Sequence, residues 1–310
     1  MLPPTNLVRT IVPILLVAGL VAGCGSSKKS SSSTTTTTSS STTTASSSSS
    51  PGVDSTVAAQ VPSKFKSKTI VVAADATYAP NEFIASNGHT VVGMDPDLAQ
   101  ALSAVMGTKV KVVNATFDSI IPGLASGKYD LGMSSFTDTK ARQKVVDFVT
   151  YFSAGTSFYV KAQGGPTINS LADLCGHTVG VERGTTQATD ATAQSAKCTK
   201  AGKSKVTVSV YPDQNAANLA ISSGRAQVGM ADSPVAAYIV KQSNGQFKLT
   251  GTPYNTAPYG IAITKGSGLD KPVLAALKVL MKDGKYKAIL TKWNIEQGAI
   301  TNPKINGAIS

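Results

Sequence analysis

The sequence predicts an α/β protein with two lobes, each a mostly parallel sheet flanked by helices. Two observations carry this prediction: strands and helices alternate as β-α-β-α-β, and the alternation occurs twice. The first copy has strands at 69–74, 110–113 and 130–134 and helices at 95–106 and 119–126. The second has strands at 177–181, 205–210 and 227–231 and helices at 186–196 and 216–223. In such sheets, ligands bind at the carboxyl ends of the strands.

Each element rests on its apolar pattern. Residues 69–74 are a short apolar run, which is typical of a buried strand. The helix at 95–106 places Leu98, Leu102 and Val105 at helical spacing, and the helix at 119–126 is followed by Gly127. After the second copy, a strand at 259–265 and an amphipathic helical region at 273–290 return the chain to the first lobe.

The N-terminus predicts secretion. Arg9 precedes an apolar run at 11–22 that is too short to span a bilayer, so residues 1–23 are interpreted as a signal peptide. The order Val21-Ala22-Gly23-Cys24 resembles a bacterial lipobox, in which the cysteine is acylated, with palmitate for example, and becomes the first mature residue. The alternative is an ordinary signal peptide cleaved near Ala22.

Residues 26–50 are almost entirely serine and threonine. Such a segment has no apolar surface with which to build a core, so residues 24–60 are interpreted as a disordered tether. The formal net charge of +12 is carried by scattered lysines rather than by a basic block with interleaved aromatic residues. This distribution argues against nucleic acid as a partner.

Cys175 and Cys198 remain once Cys24 is assigned to the lipobox, and export favours a disulfide between them. Two free buried thiols are the alternative. His89 and His177 lack further ligands at metal spacing, so neither a metal site nor a cofactor is predicted.

A candidate anion site lies at 134–142, where small hydroxyl residues precede Arg142. A strand that ends in small residues exposes N–H and hydroxyl groups, and an arginine nearby is suited to bind a carboxylate bidentately. A surface loop with a solvated arginine is the alternative interpretation.

Over residues 69–294 the chain resembles the extracellular solute-binding proteins of polar amino-acid ABC transporters, family 3. The resemblance rests on six motifs in the family's order, which lie at 75–80, 92–99, 134–142, 179–187, 232–238 and 259–262. It implies a type II periplasmic-binding-protein fold with a two-strand hinge. Lobe 1 is then formed by residues 61–155 and 259–310, and lobe 2 by residues 156–258.

The resemblance also implies the function. The expected protein is a monomer, lipid-anchored to the outer face of the bacterial cytoplasmic membrane, which captures a free amino acid by lobe closure and delivers it to an ABC transporter permease. A prephenate or arogenate (cyclohexadienyl) dehydratase-like enzyme and a ligand-sensing lipoprotein are the alternatives. We expect no enzymatic activity, because no nucleophile elbow, phosphate-binding loop or HExxH motif is present.

The ligand-binding residues follow from the resemblance. Arg142 is expected to hold the ligand's α-carboxylate with Thr137 and the Thr185-Thr186 pair, and Asp232 its ammonium group with Ser135. Asp75, Tyr78 and Phe117 are expected to meet the ligand's side chain, although core packing is an equal alternative for Phe117. The complete predicted set is Asp75, Tyr78, Phe117, Ser134, Ser135, Thr137, Arg142, Glu182, Thr185, Thr186 and Asp232.

Three residues depart from the family's pattern: Asn81, Gln227 and Glu182. Glu182 matters most, because a carboxylate there would bind a cationic or amide side chain. The alternative is a pair with Arg183 or Lys161 at the rim. We therefore expect a polar or cationic amino acid as the ligand.

Overall fold

In a computed structural model, residues 52–309 are described; the predicted signal peptide, Cys24 and most of the predicted tether lie outside them. The strands are β1 Thr69–Ala74, β2 Thr77–Tyr78, β3 Glu82–Ile84, β4 Val91–Val92, β5 Lys109–Asn114, β6 Leu131–Gly132, β7 Val146–Lys161, β8 Thr178–Glu182, β9 Thr207–Tyr211, β10 Val228–Asp232 and β11 Phe247–Thr264.

The helices are α1 Ser55–Gln60, α2 Ser63–Lys66, α3 Met94–Met106, α4 Phe117–Ala125, α5 Thr186–Lys200, α6 Gln214–Ser222, α7 Ser233–Gln242, α8 Asp270–Lys282 and α9 Lys285–Lys292. Short 3-10 turns lie at Arg142–Lys144, Leu171–Leu174 and Glu296–Gly298. Among residues 52–309, no helix has the length and apolar character needed to cross a bilayer.

One sheet runs through the whole folded body in the order β5-β1-β6-β11-β7-β10-β8-β9. Parallel pairs lie at both ends of it, with β1 between β5 and β6 and with β8 between β9 and β10. In the middle, β7 and β11 pair antiparallel along most of their length. The predicted arrangement of two mostly parallel sheets is confirmed, and the two long strands join them.

The two long strands serve both halves of the sheet. The first half of β7 pairs with residues 260–264, and its second half pairs with residues 247–254 and with β10. Register shifts between Thr250 and Gly260 interrupt the pairing between these halves. The predicted lobe boundaries, at 155/156 and 258/259, fall within β7 and β11 near this irregular stretch.

Both ends of the described chain pack into one core. Val57 of α1 and Leu277 of α8 belong to the same buried cluster as Leu98 of α3. The chain therefore returns to the first sheet after β11. A second cluster, which includes Val179, Val181 and Met230, forms the core beneath β8 and β10.

The structure differs from the sequence predictions in several places, since the long strand β7 and the first part of β11 were not predicted. The end of the predicted tether, residues 55–60, is helical because Val57 is buried in the core. The region at 273–290 is two helices, since Gly284 adopts a left-handed conformation with φ of 73°. The residues after Asp232 form helix α7, which the sequence analysis left unassigned.

A disulfide joins Cys175 and Cys198, as the cysteine pattern predicts. Cys175 follows the turn Leu171–Leu174, and Cys198 lies in α5 with 1% of its surface exposed. The bond thus ties α5 to the edge of the second core and does not cross between the two halves of the sheet.

Replacing Cys175 and Cys198 together with serine is expected to lower the free energy of unfolding by about 3 kcal/mol, because the loop that the bond closes gains entropy when the chain unfolds. Urea denaturation of the exported protein measures this change. Mass mapping without reduction provides the control for the wild type. Recovery of both cysteines as free thiols would contradict the assignment.

Candidate ligand-binding site

The ends of four strands meet at one cleft. Asp75 directly follows β1, and Ser134 lies two residues beyond β6. From the other half of the sheet, Glu182 is the last residue of β8 and Asp232 the last residue of β10. Parallel strands place their carboxyl ends at the same edge, which explains why these distant residues come together.

A narrow cavity lies between the two halves. Every residue predicted to bind ligand lines it: Asp75, Tyr78, Phe117, Ser134, Ser135, Thr137, Arg142, Glu182, Thr185, Thr186 and Asp232. Glu82 and Gln187 also line the cavity and were missed by the sequence analysis. Gln187 belongs to the motif at 179–187, whereas no motif or apolar pattern in the sequence indicated Glu82.

Arg142 is held by backbone carbonyls and aromatic rings. Its Nη1 donates to the carbonyl oxygen of Thr137 at 2.8 Å, and its Nη2 donates to that of Gly184 at 3.0 Å. The guanidinium lies 5.3 Å from the ring centroids of both Phe117 and Phe136. Phe117 therefore lines the cavity and packs in the core, and its contact with the ligand's side chain stays a prediction.

The charge of Arg142 is not neutralised by a protein carboxylate. Burial lowers its pKa to about 10, so the side chain remains cationic at neutral pH. Among the ion pairs within residues 52–309, none involves Arg142. A half-buried cation of this kind is available to an anionic group of a ligand.

Asp232 is anchored from both halves of the sheet. Its Oδ1 accepts from Nε2 of Gln187 at 2.7 Å, and its backbone N–H donates to Oη of Tyr78 at 2.9 Å. Gln187 also donates to Oγ1 of Thr156 at 3.0 Å. Burial raises the pKa of Asp232 to about 6, so the carboxyl titrates near neutral pH.

Asp75 and Glu182 face each other across the cavity. Oδ1 of Asp75 accepts from Oγ1 of Thr77 at 2.6 Å, and Oδ2 accepts from the backbone N–H of Phe117 at 2.9 Å. Burial raises the pKa of Asp75, while a hydrogen bond with Glu182 opposes that rise. Burial, together with the charge of Asp75, raises the pKa of Glu182 well above its usual range.

Glu182 lies in the cavity rather than at its rim. Only 3% of the residue is exposed, and its Oε1 has no hydrogen-bond partner in the described part of the chain. Arg183 instead lies 3.7 Å from Asp118, between Nη1 and Oδ2. A buried acceptor without a donor is an unfavourable arrangement that a cationic or amide group would relieve.

The turn after β8 brings the two halves close. Gly184 adopts φ of 79°, and a Cβ there would lie 3.1 Å from Cβ of Asp118. Thr185 then caps α5, since its Oγ1 accepts from the backbone N–H of Ala188 at 3.2 Å. The cap places the N-terminus of α5, including Thr186, at the cavity.

Several hydrogen bonds join the two halves across the cleft. Besides the bonds of Arg142 to Gly184 and of Asp232 to Tyr78, the backbone N–H of Gln214 donates to Oγ1 of Thr77 at 3.2 Å. These contacts define a closed cleft, in which neither half contains the full set of polar groups.

These features define a two-lobed protein with a charged, buried cleft between its lobes. The chain belongs to the bacterial extracellular solute-binding proteins, family 3, whose pattern matches residues 70–296. The resemblance inferred from the sequence motifs is thereby confirmed.

Individual relatives agree with this assignment. The chain is 33% identical over 252 residues to the arginine-binding protein ArgT of Corynebacterium glutamicum, covering 81% of this chain and 82% of that protein. It is 38% identical to the structure of an ancestral arginine-binding protein bound to arginine, with a TM-score of 0.67, covering 74% of this chain and 99% of the other.

A second solved structure, an ancestral arginine-binding protein bound to glutamine, is 39% identical, with a TM-score of 0.66 and coverage of 74% of this chain and 98% of the other. These relatives are solute-binding proteins rather than enzymes. The expectation of a binding protein without enzymatic activity is therefore confirmed.

Replacing Tyr78 with phenylalanine is expected to weaken the closed form by about 1 to 3 kcal/mol, because the buried N–H of Asp232 then lacks an acceptor. In an open cleft, water satisfies that group. Calorimetry with the amino acid that binds the wild type most tightly measures the loss of affinity. Solution scattering measures the expected increase in the radius of gyration.

Tyr286→Phe is the matched control. Oη of Tyr286 donates to the carbonyl of Tyr151 at 2.8 Å and accepts from the N–H of Ile300 at 2.9 Å, both away from the cavity. This variant should lose thermal stability but retain ligand affinity. Equal affinity losses in the two variants would show that the bond between Tyr78 and Asp232 has no special role in closure.

Proposed function

We propose that the protein captures a cationic amino acid, with L-arginine as the best candidate, and delivers it to an ABC importer. One observation carries the choice of ligand: the cavity contains more buried carboxyls than cations. Asp75, Glu82, Glu182 and Asp232 line it together with Arg142. A zwitterion neutralises Arg142 and Asp232, and a second positive charge on the ligand would stabilise the facing pair Asp75 and Glu182 in their ionised form.

The backbone groups of the ligand fit one end of this arrangement. Its α-carboxylate pairs with Arg142, assisted by N–H groups at the N-terminus of α5 near Thr186. Its α-ammonium pairs with Asp232, which Gln187 holds in place. The carbonyl of Thr137 fixes the guanidinium of Arg142, and Thr137 also lines the cavity beside the carboxylate.

The side chain of the ligand extends to Asp75 and Glu182. A guanidinium presents several N–H donors in a plane, which suits two facing carboxyls and the unpaired Oε1 of Glu182. Phe117 and Tyr78 provide aromatic walls for its aliphatic part and for cation–π contact. An ammonium such as that of lysine supplies the charge with fewer donors.

The relatives support this choice. ArgT of Corynebacterium glutamicum is an arginine-binding protein. L-glutamine is the second candidate, since one similar structure holds glutamine. A protonated Glu182 would donate its O–H to the amide oxygen of glutamine or accept a hydrogen bond from the amide N–H. Transport through an ABC system is supported by relatives such as the ABC transporter glutamine-binding protein GlnH of Bacillus subtilis.

We further propose that the protein is a monomer anchored by an acylated Cys24 to the outer face of the cytoplasmic membrane. The support is the order Val21-Ala22-Gly23-Cys24 and the Ser/Thr-rich segment that follows it. Metabolic labelling with a fatty acid, compared between the wild type and Cys24→Ala, tests this anchor.

The experiment that tests the ligand is calorimetry with L-arginine, L-lysine, L-glutamine and L-citrulline. Citrulline has nearly the shape of arginine but lacks the charge, so it isolates the contribution of the cation. We expect arginine to bind at least about tenfold more tightly than citrulline. Glu182→Gln should reduce that preference. Equal or tighter binding of citrulline or glutamine would refute a cationic ligand.

The affinity for arginine should fall as the pH falls through about 6, the pKa of Asp232. The sign follows from competition: protons and the cation bind the same carboxylates, so a bound cation lowers their pKa values and protons are released. Calorimetry in two buffers of different ionisation enthalpy counts those protons. The pKa of Glu182 is also raised well above its usual range. Arginine binding to the Glu182→Gln variant should therefore release fewer protons than binding to the wild type.

A matched comparison uses citrulline in the same buffers, which should release fewer protons than arginine. A pH-independent affinity for arginine, with no buffer dependence of the binding enthalpy, would contradict the role assigned to these carboxyls.

A further inference from the structure

A second pair of carboxyls lies beside the cavity, which Glu82 lines and Asp95 does not. Glu82 is the first residue of β3, and Asp95 lies in the first turn of α3. Both residues are fully buried, with 0% of their surface exposed. Neither residue belongs to the predicted ligand-binding set, and the proposed ligand contacts do not use them.

Both carboxyls hold the serine pair that lines the cavity. Oε1 of Glu82 accepts from Oγ of Ser134 at 3.2 Å, and Oε2 accepts from Oγ of Ser135 at 3.3 Å. Oδ2 of Asp95 accepts from the backbone N–H of Ser135 at 2.9 Å. Ser134 in turn accepts from the N–H of Asp75 at 2.8 Å, so the contacts reach the ligand site.

Ser135 needs such support. Its φ of 51° lies in the left-handed region, which a residue other than glycine seldom adopts. Three groups fix it: the carboxyls of Glu82 and Asp95, and Nδ2 of Asn81, which donates to its Oγ at 2.8 Å. Without them, the turn after β6 would relax toward a more favourable backbone conformation.

The backbone forces the two carboxyls together. The N–H of Asp95 donates to the carbonyl of Asn81 at 2.9 Å. Gly93 permits this approach, since a Cβ there would lie only 2.2 Å from the same carbonyl oxygen. The start of α3 is thereby fixed against Glu82, and side-chain rotation offers the pair little room to separate.

Within residues 52–309, no cationic side chain forms an ion pair with either carboxyl. The ionisable groups that face the pair are Asp75, from the end of β1, and the hydroxyl of Tyr151, from β7. Burial raises the pKa of Asp95 to about 6 and that of Glu82 well above its usual range.

One oxygen of the pair also lacks a donor. Oδ1 of Asp95 is buried and has no hydrogen bond of good geometry in the described part of the chain. The polar groups beside Asp95 are Tyr151 and the carboxyl of Glu82. A proton on Glu82 would supply a donor in addition to the hydroxyl of Tyr151, and it would remove the repulsion between two like charges.

We propose that Glu82 and Asp95 share one proton and that Glu82, as a neutral acid, is a positioning residue that holds Ser134 and Ser135 in the geometry required for ligand binding. The inference uses the proposed function only for its affinity readout. It predicts that the binding site depends on a protonated carboxyl which does not itself pair with the ligand.

The first test requires no ligand. ¹³C NMR of the side-chain carboxyl carbons, assigned by comparison with Glu82→Gln, should show Glu82 protonated from about pH 6 to about pH 8, where an unperturbed glutamate is ionised. Glu296→Gln, which alters an exposed glutamate, is the control and should leave this signal unchanged. A Glu82 signal typical of an ionised carboxylate throughout that range would overturn the shared proton.

The second test measures affinity for L-arginine and L-glutamine by calorimetry. Glu82→Ala removes the acceptors of both serine hydroxyls and should weaken binding by about tenfold or more. Glu82→Gln keeps the shape of the neutral acid, with one acceptor and one donor, and should restore most of the lost affinity. Equal losses in the two variants would refute the role of a neutral carboxyl.

The two tests separate this inference from the proposed function. If neither amino acid binds the wild type, the ligand assignment fails, while the NMR signal still decides the protonation of Glu82. If Glu82→Ala does not fold, the comparison between the wild type, Glu82→Gln and the NMR titration remains decisive.

Discussion

The antiparallel pairing of β7 with β11 is the constraint on which both lobes depend. Each strand is part of the sheet in both halves, so the pairing fixes which strand ends face each other. Asp75 and Ser134 approach the cleft from one side, and Glu182 and Asp232 approach it from the other. The register shifts between Thr250 and Gly260 leave fewer regular ladder bonds at the junction. Bending there is therefore less costly than within either half, as a hinge requires.

The cleft built on this hinge concentrates buried carboxyls in two layers. Asp75, Glu182 and Asp232 face the cavity, and Glu82 and Asp95 lie behind the serine turn. Burying an ionised carboxylate without a partner is strongly unfavourable, so protonation is the response available while no ligand is bound. The layers differ in what replaces the proton. A cation in the cavity meets the carboxyls of the first layer, whereas those of the second layer accept hydrogen bonds from Ser134 and Ser135.

Most of the fold was predicted from apolar patterns and from the polar residues at strand ends. The proposed ligand set was predicted from the family motifs. All of these signals lie in short stretches of sequence. The elements that were missed have no such local signal. Strand β7 is buried on both faces, from Val146 to Val160, so it shows no alternation. Glu82 opens a strand of three residues, which is too short to show alternation, and Gly93 permits the close approach of the start of α3 to Asn81 and Glu82. Its contacts with Ser134 and Ser135 join residues more than fifty positions apart.

The distribution of the first-layer carboxyls between the lobes connects ligand choice to closure. Asp75 belongs to one lobe and Glu182 to the other, so their mutual repulsion exists only when the cleft closes. A bound cation removes that repulsion, and so does a proton, but protons become scarcer as the pH rises. An empty cleft is then disfavoured in its closed form, while a cleft that holds arginine gains attraction to both carboxyls. Since a ligand shifts a conformational equilibrium only through its differential affinity for the two states, this repulsion increases the shift that a cationic ligand produces. A neutral ligand of the same shape would leave the repulsion in place, and it would close the lobes less completely.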